Sequence, residues 1–216
     1  MQVNILSGQN SLLNQFIAEI RNIKVQNDRI RFRKNLERIG GIFAYEISKT
    51  LSYISEEVET PLGKAQVNVL VSQPVLACIL RAGLPLHQGL LNYFDGASNS
   101  FISAYRRHQD DGSFNIHLEY LASPSIENKV LILSDPMLAT GRSMVLCYQA
   151  MLQKGNPQHV HIVSILASKQ GLDYTKKNMP SNATLWIGVV DNELNAEAYI
   201  LPGLGDAGDL AFGKKI

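Results

Sequence analysis

Apolar residues recur at intervals of three and four from Leu12 to Ile23 and again from Ile30 to Leu51, where Phe32, Leu36, Ile39, Phe43 and Ile47 mark one stripe. That spacing predicts two amphipathic helices. From Ser52 the rhythm changes. Val58, a Pro61-Leu62-Gly63 turn and alternating Val67, Val69 and Val71 predict a β-arm outside the main sheet. After Pro74, short apolar runs at 74–80, 100–106, 129–135, 159–167 and 183–190 alternate with helical patterns near 84–94, 143–153 and 170–178. Strands that are apolar along their whole length have no wet face. Interleaved with helices, they predict an α/β fold with a parallel sheet covered on both sides.

Two stretches depart from that alternation. Residues 106–121 hold an Asp110-Asp111-Gly112 turn between strand-like flanks and predict a hairpin. From Asp191 to the end, four glycines and Pro202 exclude a long helix or a regular strand. The chain therefore reads as one domain in three parts: N-terminal helices and β-arm (1–73), an α/β core (74–190) and a glycine-rich C-terminal segment (191–216).

Composition narrows the function classes. Twenty Lys and Arg against nineteen Asp and Glu give a formal charge of +1, far from the basic excess of a protein that lives on nucleic-acid phosphates. Any phosphate site is therefore local, and no nucleic-acid partner is expected. Cys78 and Cys147 each lie inside an apolar run and read as reduced core residues. No stretch approaches the roughly 20 apolar residues of a membrane span, and a cytoplasmic protein is expected.

The candidate chemistry sits after the central strand, in VLILSDPMLATGRSM. The strand delivers Asp135 at its carboxyl end, the edge where open α/β sheets bind ligands. Small residues then lead into a helix expected to start near Ser143. Thr140, Gly141 and the free N–H groups of that helix make an anion cradle, with the Thr140 and Ser143 hydroxyls as further donors. Asp135 is placed to hold sugar hydroxyls or a metal-bound water. An ordinary βα loop with Ser143 as N-cap explains the same residues equally well. A Walker terminus is absent, which argues against a P-loop nucleotidase.

Other residues stand out less. Arg81 follows an apolar strand, and Gly83 beside it lets a ligand approach closely. His159 and His161 alternate on one strand and have no third ligand nearby, so an exposed or edge-strand position is expected. His108 and His117 read as solvated loop residues, and Trp186 reads as core.

DPMLATGRS resembles the PRPP-binding loop of uracil phosphoribosyltransferases, PRPP being phosphoribosyl pyrophosphate. RFRKNLERIG (31–40), ILRAGL (79–84), AYRR (104–107) and YILPGLGDAGDLAFG (199–213) agree in order and spacing. The resemblance implies a type I phosphoribosyltransferase fold with a C-terminal hood that receives the base. It implies transfer of the phosphoribosyl group of PRPP to uracil, giving UMP and pyrophosphate. By position, Arg81 and Arg106 bind the pyrophosphate and Asp135 the ribose hydroxyls. Ala139, Thr140, Gly141, Arg142 and Ser143 hold the 5′-phosphate, with Pro136, Met137 and Leu138 completing the loop. Ile200, Gly205, Asp206 and Ala207 form the uracil site, and Asp206 also touches PRPP. Asp135, Arg106 and Asp206 are the implied catalytic residues. Magnesium bound mainly through the pyrophosphate, a GTP effector and a homodimer or higher homo-oligomer belong to the same implication. The polar residues and Asp-Asp-Gly turn of the hairpin beyond Arg106 predict a lid that closes over pyrophosphate.

Two positions depart from the family. Arg142 stands where a small residue, most often Gly, is usual, and a positive φ there would strain it by ~1 kcal/mol or more. Leu210 and Ala211 replace a basic residue and a bulkier one after Gly208-Asp209. The alternative function is a PRPP- or nucleotide-sensing regulator of the same fold with reduced catalysis, for which Arg142 is the sequence support.

Overall fold

Strand β1 (Gln2–Ile5) opens the chain, a four-residue element too short to leave a period in the sequence. It is followed by α1 (Leu12–Arg21) and α2 (Arg29–Ser48), each started by a side chain that accepts from first-turn N–H groups. Ser11 takes Leu13 N–H for α1, and Asp28 takes those of Ile30 and Arg31 for α2. The structure, a computed structural model, describes residues 1–108 and 114–215, with the side chains of 104–108 and 114–118 left undescribed.

The β-arm is β2 (Tyr53–Thr60) paired with β3 (Gly63–Leu70) in a two-stranded sheet of its own. The core then runs β4 (Val75–Leu80), α3 (Gly83–Leu91), β5 (Ser98–His108), β6 (Phe114–Ala122), β7 (Val130–Ser134), β8 (Met137–Leu138), α4 (Arg142–Met151), β9 (His159–Ser168), α5 (Lys169–Asn178) and β10 (Ala183–Asp191). The C-terminal segment holds two-residue strands β11 (Glu193–Leu194) and β12 (Ile200–Leu201) and the short helix α6 (Ala207–Phe212).

The main sheet has the order β1-β10-β9-β7-β4-β5-β6, with β8 also pairing β9. Its pairings are parallel, as expected of the alternating strands and helices, except β5 with β6, which form the antiparallel pair of the expected hairpin. The reason is local: residues 109–113 are too few for a crossover, and only an antiparallel partner can follow so short a connection. The expected Asp110-Asp111-Gly112 turn lies outside the described residues. His108 and His117 are corrected from loop to strand, in β5 and β6.

Apolar side chains alternate between the two faces. On β7, Leu131 and Leu133 belong to the same buried cluster as Met144, Cys147 and Met151 of α4, while Ile132 belongs to the cluster on the other face with Phe32 and Leu36 of α2 and Leu86 of α3. This continuous apolar pattern is what a doubly covered sheet needs. Cys78 and Cys147 are free and buried, and Trp186 is in the core. No helix among the described residues is long and apolar enough to cross a membrane.

The expected edge position of His159 and His161 is also corrected. β9 is an interior strand, and His161 is buried, its Nδ1 accepting from Trp186 Nε1 at 3.0 Å. Shedding a proton lets an imidazole sit in such a place. Burial, reinforced by neighbouring His159, pushes the His161 pKa down to about 3.

Candidate active site

The carboxyl edge of the sheet carries a cavity of about 120 Å³ bordered by Arg81, Asp135, Ser143, Asp206, Gly208 and Lys215. Residues from β4, β7, α4 and the C-terminal segment meet there although up to 134 positions separate them (215 − 81). A larger hollow of about 440 Å³ around Glu19 and Arg31 lies between α1 and α2 and contains none of the loop motifs.

Asp135 follows β7 directly. Its N–H donates to Val163 O at 3.1 Å, and its Oδ1 accepts from Met137 N–H at 3.2 Å, so the carboxylate turns the chain back toward β9. Pro136 O then accepts from both Ile165 and Leu166 N–H, and β8 runs along β9 with Met137 opposite Leu166. The loop's first half is therefore part of the sheet.

Its second half is held by α5. A Cβ on Gly171 would stand 2.3 Å from Ala139 O, and one on Gly141 would stand 2.6 Å from Thr175 Oγ1. Ser168, the N-cap of α5, donates to Ala139 O. Helix α4 starts at Arg142, one residue before the expected Ser143, with Gly141 as its N-cap at φ +74°. The left-handed residue is thus Gly141. Arg142 has a negative φ, as all described non-glycine residues do except Asn128 and Ala198, so the substitution carries no φ strain. Ser143, in the first turn, borders the cavity rather than capping the helix.

Arg81 leaves β4 and reaches the C-terminal segment, where Nη2 donates to Asp209 Oδ1 and to Gly213 O, each at 3.2 Å. The ion pair is exposed (41% and 31%) and contributes little to stability. A Cβ on Gly83 would stand 2.9 Å from Cys78 Sγ, so its small size serves the packing of α3 on β4. Arg106 lies in β5 opposite Ile116, and its side chain is outside the described residues.

In the C-terminal segment, Asp206 caps α6 by accepting from Asp209 N–H at 2.9 Å and also borders the cavity. Gly205, at φ +93°, is exposed, and a Cβ there would meet open space. Ile200 and Ala207 are 2% and 3% exposed and belong to the core, so what they can offer a ligand is backbone. Leu210 packs on the core and Ala211 is fully buried, its carbonyl accepting from Arg33 Nη1 at 2.7 Å.

Sequence reasoning missed Lys215 on the cavity and Asp209 on Arg81. A charge pair 128 residues apart leaves no periodic signal. Nor did it find Ser168 or Asp191, which act on the site's backbone from outside the cavity.

The arrangement combines two cations, a hydroxyl and a helix amino-terminus, all suited to anions, with carboxylates suited to sugar hydroxyls. The family model described as "Uracil phosphoribosyltransferase" matches residues 7–214. A uracil phosphoribosyltransferase of Porphyromonas gingivalis is 56% identical over 216 residues, all of both chains. One of Methanothermobacter thermautotrophicus is 38% identical over 189 residues, covering 87% of this chain and 86% of the relative. A solved structure from Aquifex aeolicus superposes with a TM-score of 0.88 at 28% identity, over all of both chains. With its type I phosphoribosyltransferase fold, the chain belongs to the uracil phosphoribosyltransferase family.

Proposed function

We infer that the protein transfers the phosphoribosyl group of PRPP to uracil, releasing pyrophosphate and giving UMP. The observation that carries this reading is the meeting of Asp135, Ser143, Arg81 and Asp206 on one cavity at the sheet's carboxyl edge. Family membership over nearly the whole chain supports it.

In this reading the 5′-phosphate lies against Ala139 to Ser143, where the α4 amino-terminus meets its charge. Asp135 takes the ribose hydroxyls. Arg81 and Arg106 take the pyrophosphate, and Arg81 exchanges Asp209 for it. Uracil lies under the hood against Ile200, Gly205, Asp206 and Ala207. The bond from uracil N1 to the anomeric carbon forms as the bond to pyrophosphate oxygen breaks, and the N1 proton passes to the departing pyrophosphate or to solvent. Positive charge then builds on the ribose ring and negative charge on the leaving group, so the residues act by positioning and charge stabilisation. The division into residues 1–73, 74–190 and 191–216 follows these duties.

Magnesium fits as a companion of the substrate. The described residues hold no group of three or more His, Cys, Asp or Glu able to bind a metal, whereas Asp135 and Asp206 offer hard oxygens at the cavity. An ion held mainly by pyrophosphate oxygens would neutralise charge on the leaving group. GTP activation, a homodimer or higher oligomer, absence of nucleic-acid partners and a cytoplasmic location complete the proposal.

The test is to incubate pure protein with PRPP, magnesium and each nucleobase in turn and to measure pyrophosphate. Release with uracil alone is expected. Release with another base in preference to uracil, or with none, rejects the reading.

A further inference from the structure

Asp191 closes β10, the strand that leads into the hood, and is 7% exposed. Its Oδ2 serves two partners far apart in sequence. One is the guanidinium of Arg21, the last residue of α1. The other is the Gly203 N–H, at 3.1 Å, in the hood turn. Hydrogen bonds to an ionised acceptor are about twice as strong as neutral ones, and a buried carboxylate that loses its cation is strongly destabilised. The three groups therefore hold one another as a unit.

Gly203 is the hood glycine least able to carry a side chain. Its φ is +56°, and a Cβ there would stand 2.1 Å from the Ile200 carbonyl oxygen. The turn is consequently fixed at two points: Ile200 is buried in the core, and Gly203 is held by Asp191. Gly205 lies two residues beyond, exposed and with open space around its α-carbon. Within the turn, the Asp191 bond sets where the backbone from Gly203 to Gly205 stands relative to the sheet.

We propose that Arg21 and Asp191 are positioning residues for base recognition, a brace from α1 through β10 that holds the hood backbone in the register that reads the pyrimidine edge. The proposal rests on the reading of the hood as the uracil site. Neither residue borders the cavity, so both act through Gly203. Backbone recognition makes such a brace necessary, because hydrogen bonds weaken steeply with distance and angle and no charged side chain compensates.

The experiment measures KM for uracil and for PRPP, kcat and the melting temperature in Asp191→Asn, Asp191→Ala, Arg21→Lys and Arg21→Met. Loss of a hydrogen bond to a charged group corresponds to roughly a tenfold rise in uracil KM in Asp191→Ala and Arg21→Met, with PRPP KM held within about twofold. Asp191→Asn keeps an oxygen toward Gly203 and Arg21→Lys keeps the charge, so both should show a smaller rise. The Arg21→Met/Asp191→Ala double variant should be no worse than the poorer single one, since the two act as a unit. Uracil KM unchanged in folded Asp191 variants overturns the proposal, as does a joint rise of both KM values, which indicates general loosening. If Asp191→Ala fails to fold, Asp191→Asn and Arg21→Lys decide. Gly205→Ala, strained at its φ of +93°, displaces the hood backbone directly. A rise in uracil KM there without one in the Asp191 variants rejects the brace alone. No rise there rejects the hood reading and the brace with it.

Discussion

The Ser168 hydroxyl donates to the Ala139 carbonyl at 2.5 Å and accepts from the Gly171 N–H at 2.8 Å. One side chain thus caps α5 and fastens the loop between β8 and α4 to it. The absence of a side chain at Gly171 lets the two backbones approach closely enough for this bond.

Ser168→Ala removes both bonds and leaves two backbone groups without that partner, at a cost of ~2 kcal/mol in stability. If the loop holds the 5′-phosphate, PRPP KM should rise about tenfold while uracil KM moves less than about threefold. Ser168→Thr keeps the hydroxyl and should hold PRPP KM near the parent value, although its added methyl at a fully buried position lowers stability. Steady-state kinetics with each substrate varied check this, and an unchanged PRPP KM in Ser168→Ala would mean that the clamp is irrelevant to binding.

Arg142→Gly should leave the fold intact and change apparent PRPP affinity by no more than about tenfold, or ~1.4 kcal/mol. The left-handed position is already Gly141, so glycine at 142 relieves nothing. Backbone N–H groups of the first α4 turn should carry most of the phosphate binding. Isothermal titration with PRPP and magnesium measures it, and complete loss of binding would make the Arg142 side chain a principal ligand.

The Trp186–His161 bond predicts a pH dependence. The unfolded chain takes up a proton near the ordinary histidine value of 6.5, whereas folded His161 does so only near 3, because burial and His159 oppose the charge. Between those values the unfolded state binds more protons. Stability present above pH 6.5 is therefore lost as pH falls toward 3, by up to about 1.4 kcal/mol per pH unit. His161→Phe strips the Trp186 Nε1–H of its acceptor and should cost ~1–3 kcal/mol at pH 7, yet lose less on going to pH 5. Urea unfolding at both pH values decides, and equal losses in parent and variant would clear His161 of the effect.

The elements of the core were legible because their periods are. Phe32, Leu36, Ile39 and Phe43 repeat on one helix face, and the residues of β7 and β9 are apolar on both sheet faces. What was not legible depends on partners distant in sequence. β1 is a strand only because β10 lies beside it, and Met137-Leu138 extends only because β9 offers free N–H groups. The loop motif located the site, but the chain segments that brace it, Ser168 with Ala139 and Arg21 with Asp191, are ordinary polar residues until the fold brings them together. Gly83 and Ala207 show the same limit, since neither motif reveals that the Gly83 backbone lies close against Cys78 or that the Ala207 methyl packs in the core.

Backbone reading of the base predicts that uracil is accepted and cytosine rejected. Uracil presents an N–H at position 3 and a carbonyl at position 4. Cytosine presents a bare nitrogen and an amino group, so donor and acceptor are exchanged at both points. A backbone C=O facing the first and an N–H facing the second would satisfy uracil and leave groups unpaired against cytosine, a mismatch that discriminates by ~10⁴-fold or more in kcat/KM. The burial of Ala207 fixes what its variants should do. Its methyl packs with the core, so Ala207→Val overpacks and should cost ~1–3 kcal/mol in stability. Selectivity should survive, because the groups that read the ring belong to the main chain. Measuring kcat/KM for both bases in the parent and in Ala207→Val separates the two effects. Comparable use of cytosine by the parent would end the backbone argument, and a switch of preference in Ala207→Val would transfer the discrimination to the side chain.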